Sequence, residues 1–377
     1  MRLNLKAHRG RLGKVAGFAV AGVSAAALLV MLLPRSGGAE SAEVADEVAD
    51  DAAVSHSGAN CDNYMFPVDV AATGGAGQQV FGQLCVKGRM TADTPVQVLL
   101  SGGTYDHSYW DWPYKPGKYS YVHQATRAGY ATLNLDRLGY GLSSRPDPET
   151  LDFDAGAEAV SQVVEQLRDG AVGAQFDTVI LNGHSMGGMV ATRAAAHGGV
   201  DAVIVSGIPP QAGPDDEDDP ETAPPDSDDM YPFYPAEEDP KFAAYPWAEG
   251  YLTTLPGTRD EAFLYPGTYE PGILETEEAL KDTMTVAELQ TVRPPSDSAA
   301  GESADAPAAA DPDVPTAYVL GAHDSLACEE SDCTTDPGAA EADYIVPDSG
   351  HSINVSHGAA DFYGWTFEWL AKLPAAS

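Results

Sequence analysis

Residues 178–191 read TVILNGHSMGGMVA. An apolar run leads into the pattern Gly-x-Ser-x-Gly centred on Ser185, and a run of small residues follows. The apolar run predicts a strand and the small residues predict a helix, so that Ser185 lies on the sharp turn between them. A serine hydroxyl becomes nucleophilic when such a turn holds it next to a base. The stretch therefore predicts a nucleophilic serine, and we interpret the adjacent His184 as a packing residue of the turn.

Short apolar runs recur before and after this stretch, and helix-length segments separate several of them. The predicted strands are residues 80–87, 96–100, 131–136, 178–182, 202–206, 316–321 and 342–346. The predicted helices are residues 119–128, 155–168, 186–197 and 360–372. This alternation predicts a mostly parallel sheet covered by helices on both faces. In such sheets the functional residues lie in loops at the carboxyl ends of the strands.

Two of these loops carry the ionisable residues that a nucleophilic serine requires. Asp324 follows the strand at 316–321, and His351 follows the strand at 342–346. The chain order of serine, acid and histidine is typical of one particular fold. Asp348 is a poorer candidate for the acid than Asp324, because it lies three residues before His351.

With these residues in place, the sequence resembles the α/β-hydrolase family over about residues 78–207 and 314–377. The motifs that carry the resemblance occur in the family's order: VLLSGGT at 98–104, DRLGYGLSSRP at 136–146, the pattern around Ser185, Gly321-x-x-Asp324, and Gly350-His351. The first is similar to the family's strand and His-Gly loop, with Ser101 where histidine is commoner.

The resemblance implies an α/β-hydrolase fold, with a mostly parallel central sheet, helices on both faces and an inserted cap. It implies Ser185 as the nucleophile, His351 as the general base and then acid, and Asp324 as the residue that holds the imidazole in its productive tautomer. The backbone amides of Gly103 and Met186 would form the oxyanion hole. Serine at this position disfavours the epoxide hydrolases and haloalkane dehalogenases of the fold, which use aspartate there.

Residues 208–313 interrupt the alternation of strands and helices and predict a cap. Acid-rich tracts at 215–229 and 294–313 have the composition of flexible sequence, and aromatic residues are dense between them. A helical stretch is predicted over 275–291. We predict a substrate pocket lined by Thr104, Tyr109, Trp110 and Trp247.

Three other polar residues are interpreted as structural. We expect Asp136 and Arg137 to form an ion pair that braces the turn after their strand. His107 follows the loop that carries Gly103, and we interpret it as a surface or interface histidine.

The N-terminus has the layout of an export signal. Residues 1–39 hold six basic residues and no acid, and 15–33 form an apolar run. This predicts a cleaved signal peptide or a membrane anchor, and either places the rest of the chain outside the cytoplasm. The acidic, small-residue stretch at 40–60 predicts a flexible linker. The folded core is then predicted at 61–207 and 314–377.

Cysteine usage agrees with export. Four cysteines predict two disulfides, and although three pairings are open, the neighbouring positions favour Cys61 with Cys85 and Cys328 with Cys333. No metal-ligand constellation and no phosphate-binding loop appears in the sequence, so we predict neither a metal nor a cofactor.

The charge of the chain limits its partners. The 57 acidic and 20 basic residues give a formal net charge of −37, which argues against nucleic acid or an anionic membrane surface as the main partner. We interpret this charge as adaptation to salt or as a general aid to solubility. The acid-rich cap also disfavours polyanionic substrates.

These observations predict an exported serine hydrolase that cleaves carboxylic esters of apolar or aromatic character through an acyl-enzyme. An amidase or aminopeptidase of the same fold is the nearest alternative, because an acidic cap could hold a free amine. Cofactor-free C–C bond cleavage or perhydrolysis is a further alternative. A non-catalytic cell-surface binding module is an alternative of another class, and the complete set Ser185, Asp324 and His351 argues against it.

Overall fold

The structure is a computed structural model that describes residues 55–210, 232–245, 248–292 and 313–374. The predicted export segment, most of the predicted linker and the acidic tracts, apart from Asp313, lie outside these residues. Within the described ranges, no helix combines the length and the apolar character needed to cross a bilayer.

A mostly parallel sheet of eight strands lies at the centre of the fold. In chain order the strands of the protein are β1 Asn60–Val70, β2 Gly75–Val86, β3 Val96–Leu100, β4 Ala131–Leu135, β5 Val179–His184, β6 Ala202–Ser206, β7 Phe233–Pro235, β8 Tyr251–Thr254, β9 Met284–Thr285, β10 Thr316–Gly321 and β11 Tyr344–Val346. The central sheet has the order β1-β2-β4-β3-β5-β6-β10-β11. β2 pairs antiparallel with β1 and β4, and the other neighbours are parallel. The predicted fold class is confirmed.

Helices cover both faces of this sheet. They are α1 Pro116–Tyr119, α2 Tyr121–Ala128, α3 Phe153–Arg168, α4 Met186–Ala195, α5 Arg259–Phe263, α6 Pro271–Leu280, α7 Val286–Val292 and α8 Ala359–Leu370. Successive strand residues point to opposite faces, so Val98 and Leu100 belong to the core with α3 and α4, while Leu99 packs with α2 and α8. Both faces of β3 are therefore buried, which accounts for its mainly apolar sequence.

The first strand, β1, was not predicted from the sequence. Its buried residues Phe66, Val68 and Val70 alternate with exposed ones, and Pro67 interrupts the run, so it lacks the apolar continuity of the central strands. Pro67 is tolerated because β1 is an edge strand of the sheet. The end of the predicted linker also contacts the core, since Ser55 and the amide of His56 both donate hydrogen bonds to Asp111.

The described part of the cap contains the small antiparallel sheet β7-β8-β9 and helices α5 to α7. The single helical stretch predicted over 275–291 is wrong. α6 ends at Leu280, Met284 then pairs with Leu252 of β8, and α7 begins at Val286. The amide of Asp282 donates to the carbonyl of Thr104 at 2.9 Å, so a contact with the core competes with helix continuation at this point.

Both favoured disulfides are formed. Cys61 pairs with Cys85 across β1 and β2, and Cys328 pairs with Cys333 in the loop after β10.

Candidate active site

Ser185 lies on a strained turn between β5 and α4. Its backbone has φ of 52° and ψ of −126°, a conformation that residues other than glycine rarely adopt. The flanking glycines permit this turn. A Cβ atom on Gly183 would lie 2.3 Å from the carbonyl oxygen of Gly187, and one on Gly187 would lie 2.3 Å from that of Leu100. The pattern Gly-x-Ser-x-Gly is thus required by close backbone contacts.

We expect Gly187→Ala to destabilise the protein by about 3 kcal/mol or more, because the added methyl group meets backbone atoms that cannot move aside. Urea denaturation measures the loss. Gly364→Ala is the matched control, since a Cβ at Gly364 in α8 meets nothing within 4 Å. That variant should be stabilised by up to about 1 kcal/mol through helix propensity. Equal stability of the two variants would contradict this account of the turn.

Asp324 and His351 meet at the carboxyl ends of β10 and β11. Nδ1 of His351 lies 2.9 Å from each carboxylate oxygen of Asp324, which is fully buried. Oδ1 of Asp324 also accepts hydrogen bonds from the amides of Leu326 and Ala327, both at 3.0 Å. The other ring nitrogen of His351, Nε2, is buried and has no hydrogen-bond partner among the described residues. His351 and Ser185 lie in the wall of the same cavity.

His184 supports the site without a charge. Its ring stacks on Tyr109 with centroids 4.7 Å apart and lies 4.8 Å from the ring of His351. Burial lowers the pKa of His184 well below its usual value, and His351 beside it lowers this pKa further. His184 therefore stays neutral, as a packing residue should.

The loop after β3 lies against the turn that carries Ser185. A Cβ on Gly102 would lie 3.1 Å from Cβ of Ser185, and one on Gly103 would lie 2.6 Å from Sδ of Met186. Ser101, which stands where histidine is commoner in the family, still stabilises the loop, because its hydroxyl donates to the carbonyl of Tyr105 at 2.7 Å. The structure thus brings Gly103 and Met186, the predicted oxyanion residues, together beside Ser185.

The cavity that contains Ser185 and His351 has a volume of about 720 Å³. Its wall is mainly apolar and combines residues of the core and of the cap: Met186, Met189, Ile208, Phe233, Phe263 and Leu289. Glu261 is the acidic residue in the described wall. Apart from Met186, which was predicted for its backbone amide, these apolar residues were not assigned to the site from the sequence, because an apolar side chain predicts burial without indicating which cavity it faces.

Three of the four predicted pocket residues, Thr104, Tyr109 and Trp110, lie outside this cavity wall. Tyr109 and Trp110 are buried in the core, where Trp110 packs against Tyr121 with centroids 5.2 Å apart. Thr104 is buried outside the cavity wall, and its hydroxyl accepts a hydrogen bond from Arg259. Trp247 lies outside the described residues. The error has a physical cause, since these rings fill the core behind the loop that carries Gly103.

The predicted pair of Asp136 with Arg137 is also wrong. Asp136 pairs with Nδ1 of His107 at 2.8 Å, and Arg137 pairs with Glu288 of the cap helix α7. Burial alone would lower the pKa of His107, but Asp136 outweighs burial and raises this pKa to about 9. His107 is therefore a buried, charged residue that braces the turn, where we expected a surface or interface histidine.

The disulfide beside Asp324 lies where it can affect turnover. The amide of Cys328 donates to the carbonyl of Asp324, and that of Cys333 donates to the carbonyl of Ala322, both at 3.1 Å. We expect replacement of Cys328 and Cys333 by serine to lower kcat about fivefold, because the loop that orients Asp324 loosens.

Replacement of Cys61 and Cys85 by serine is the matched control. Cys61–Cys85 closes a larger loop than Cys328–Cys333, with a sequence separation of 24 against 5. Loss of Cys61–Cys85 should therefore lower the free energy of unfolding by about 3.5 kcal/mol, and loss of Cys328–Cys333 should lower it by about 2 kcal/mol. The variant without Cys61–Cys85 should thus lose more stability in urea denaturation, while the variant without Cys328–Cys333 should lose more kcat when folded. If the same double variant lost more of both stability and kcat, a specific role for Cys328–Cys333 would be contradicted.

The eight-stranded sheet, the inserted cap and the serine turn define an α/β protein with a candidate nucleophile at the carboxyl edge of its sheet. The sequence pattern of the α/β hydrolase family matches residues 97–364, and the chain belongs to that family.

Solved structures with a similar fold share little sequence with this chain. An α/β hydrolase from Novosphingobium aromaticivorans has a TM-score of 0.49 and 14% identity, covering 82% of this chain and 99% of its own. A hydrolase from Pseudomonas aeruginosa has a TM-score of 0.48 and 17% identity, covering 81% and 98%. The N-acyl homoserine lactonase AidH has a TM-score of 0.47 and 11% identity, covering 82% and 98%. A search of curated protein sequences finds no match.

Proposed function

We propose that this protein is an exported serine hydrolase that cleaves carboxylic esters of apolar or aromatic character through an acyl-enzyme. One observation carries the proposal. The ring of His351 is held at Nδ1 by Asp324, its buried Nε2 has no partner among the described residues, and it shares a cavity with Ser185. A histidine oriented by a carboxylate beside a serine on a strained turn is the arrangement that activates a hydroxyl group.

In the proposed reaction, Oγ of Ser185 attacks the ester carbonyl carbon while Nε2 of His351 takes the hydroxyl proton. The amides of Gly103 and Met186 stabilise the negative oxygen of the tetrahedral intermediate. When the intermediate collapses, the carbon–oxygen bond to the alcohol breaks and His351 protonates the alcohol. Water then attacks the acyl-enzyme as His351 takes its proton, and the acid leaves as Ser185 regains a proton.

The cavity supports an apolar substrate. Methionine, isoleucine, leucine and phenylalanine side chains dominate its wall, and such a wall binds hydrocarbon by removing it from water. The described wall carries no lysine or arginine that would pair with an anionic group on the substrate. Export is supported by the two disulfides, which persist in oxidising compartments.

Hydrolysis of p-nitrophenyl esters from acetate to palmitate by residues 40–377 tests the proposal. We expect ester turnover, with an optimum chain length that reports the reach of the cavity. A fluorophosphonate that reacts with activated serines should label Ser185. Absence of both ester turnover and labelling would overturn the proposal and favour a non-catalytic binding module.

Amide hydrolysis is a second candidate, and Glu261 favours it, because a carboxylate in the cavity wall can bind the ammonium group of an aminoacyl substrate. Aminoacyl p-nitroanilides test this candidate. If the protein is an aminopeptidase, Glu261→Gln should raise KM for these anilides while leaving neutral esters unaffected. Cleavage of esters alone would leave the esterase proposal in place.

A further inference from the structure

A buried ion pair of the cap lies where the cap contacts the two loops that carry the proposed reaction. Arg259 of α5 donates through Nε to Oε2 of Glu277 of α6 at 2.8 Å, and both side chains are fully buried. A buried ion pair is weak evidence for stability, because well-packed apolar residues of similar volume often stabilise a fold as much. The directions of its hydrogen bonds are therefore the feature that needs an explanation.

Arg259 contacts the loop of the proposed oxyanion hole. Its Nη1 donates to Oγ1 of Thr104 at 3.0 Å, and its guanidinium carbon lies 4.3 Å from the ring centre of Tyr105. Thr104 directly follows Gly103 and has φ of 60°, which is unfavourable for a β-branched residue. Neighbouring contacts must hold such a conformation, and the cap supplies one at the hydroxyl and another at the carbonyl, which accepts from the amide of Asp282.

Glu277 reaches the loop of the proposed base. Its carboxylate accepts from the hydroxyl of Tyr105 at 2.8 to 2.9 Å, and that hydroxyl lies 2.8 Å from Oγ of Ser352. The amide of Ser352, next to His351, donates to the carbonyl of Phe263 in α5 at 2.9 Å. The same pair thus connects the cap to both sides of the cavity.

We propose that Arg259 and Glu277 are positioning residues, which hold the Gly103 amide and the His351 ring in reactive geometry through Thr104, Tyr105 and Ser352. The kinetic part of this inference rests on the proposed function. Neither residue needs to touch the substrate for this role. If Arg259 and Glu277 have this role, the cap positions the reacting groups of the active site as well as covering them.

A second buried ion pair in the cap provides a matched control. Nζ of Lys281 lies 2.7 Å from Oδ2 of Asp239, with side-chain exposures of 3% and 2%. Asp239 also accepts from the hydroxyl of Tyr234, and Lys281 donates to the carbonyl of Thr254. These partners belong to the cap, so this pair has the burial of Arg259–Glu277 without its contacts to Thr104 and Tyr105.

The kinetic test compares Thr104→Val, Arg259→Lys and Glu277→Gln with Asp239→Asn. Thr104→Val keeps the shape of the side chain and removes the acceptor for Arg259, while Arg259→Lys keeps a cation for Glu277 and loses the guanidinium fork. We expect the three test variants to lower kcat about tenfold with KM changed less than about twofold, because the transition state depends most on the position of the oxyanion donor. Asp239→Asn should lower the melting temperature and leave kcat of the folded enzyme unchanged.

Hydrogen exchange tests the structural coupling without turnover. In full-length chains, Arg259→Lys should speed amide exchange at both 101–107 and 349–355, and Asp239→Asn should speed it at neither. Unchanged exchange in both segments would overturn the proposal, as would kcat values that follow the melting temperature across all four variants. Faster exchange in a protein without ester or anilide turnover would instead overturn the proposed function and retain the coupling.

Discussion

Ser185→Ala is expected to lower kcat/KM for the best p-nitrophenyl ester by about 10⁴- to 10⁶-fold, because removal of the nucleophile leaves only the catalysis supplied by the oxyanion hole and by substrate binding. The hydroxyl oxygen forms the bond to the acyl group, and alanine has no atom that can replace it. Stability should change little, because the strained backbone at φ of 52° is imposed by the contacts of Gly183 and Gly187. The measurement is steady-state turnover, together with fluorophosphonate labelling of the intact protein.

Ser325→Ala is the control that identifies the serine. Ser325 lies in the wall of the same cavity, follows Asp324 directly and is exposed. We expect this variant to keep its label and most of its turnover. A label that persists in Ser185→Ala and disappears in Ser325→Ala would assign the nucleophile to the other serine.

Asp324→Asn is expected to lower kcat about 10⁴-fold at neutral pH, through the tautomer of the histidine. The amides of Leu326 and Ala327 donate to Oδ1 of Asp324, so asparagine would direct its oxygen to them and its NH₂ group to Nδ1 of His351. Nδ1 would then accept a hydrogen bond and Nε2 would carry the proton. A protonated Nε2 cannot take the proton of Ser185.

Asp348→Asn is the matched control, since it makes the same chemical change at the rival acid. Asp348 is exposed, and no described contact joins its carboxylate to the ring of His351. Turnover should stay within about threefold of the wild type, as for surface substitutions away from a site. Equal losses in the two variants would assign the orienting role to both carboxylates or to neither, and would contradict our assignment.

The parts of the fold that the sequence predicted share one physical property. The strands β3 to β6 are buried on both faces, so a mainly apolar run of residues identifies each of them. β1 was not predicted because only one of its faces is buried, and β9 was not predicted because two residues are too few to form a pattern. The helix predicted over 275–291 failed because tertiary contacts at Asp282 outweighed local helix propensity.

The residues of the site also separate into those whose place the sequence predicted and those whose place it did not. Ser185, Asp324 and His351 follow predicted strands, and parallel strands bring their carboxyl ends to one edge of the sheet. Their meeting place could therefore be predicted, while their roles stay predictions until the variants above are measured. Tyr109 and Trp110 were assigned to the wrong environment, because the hydrophobicity of a ring predicts burial in a core and in a pocket alike.

The sequence by itself determined the turn at Ser185, since Gly183 and Gly187 are the residues that allow so close a backbone approach. It also predicted the parallel strands after which Ser185, Asp324 and His351 lie. Only the tertiary structure decided that Arg259 bonds to Thr104, 155 positions away, and that His107 pairs with Asp136. The reason is physical: periodicity along a chain reports which face of an element is buried, whereas the partner of a buried charge depends on where distant segments meet.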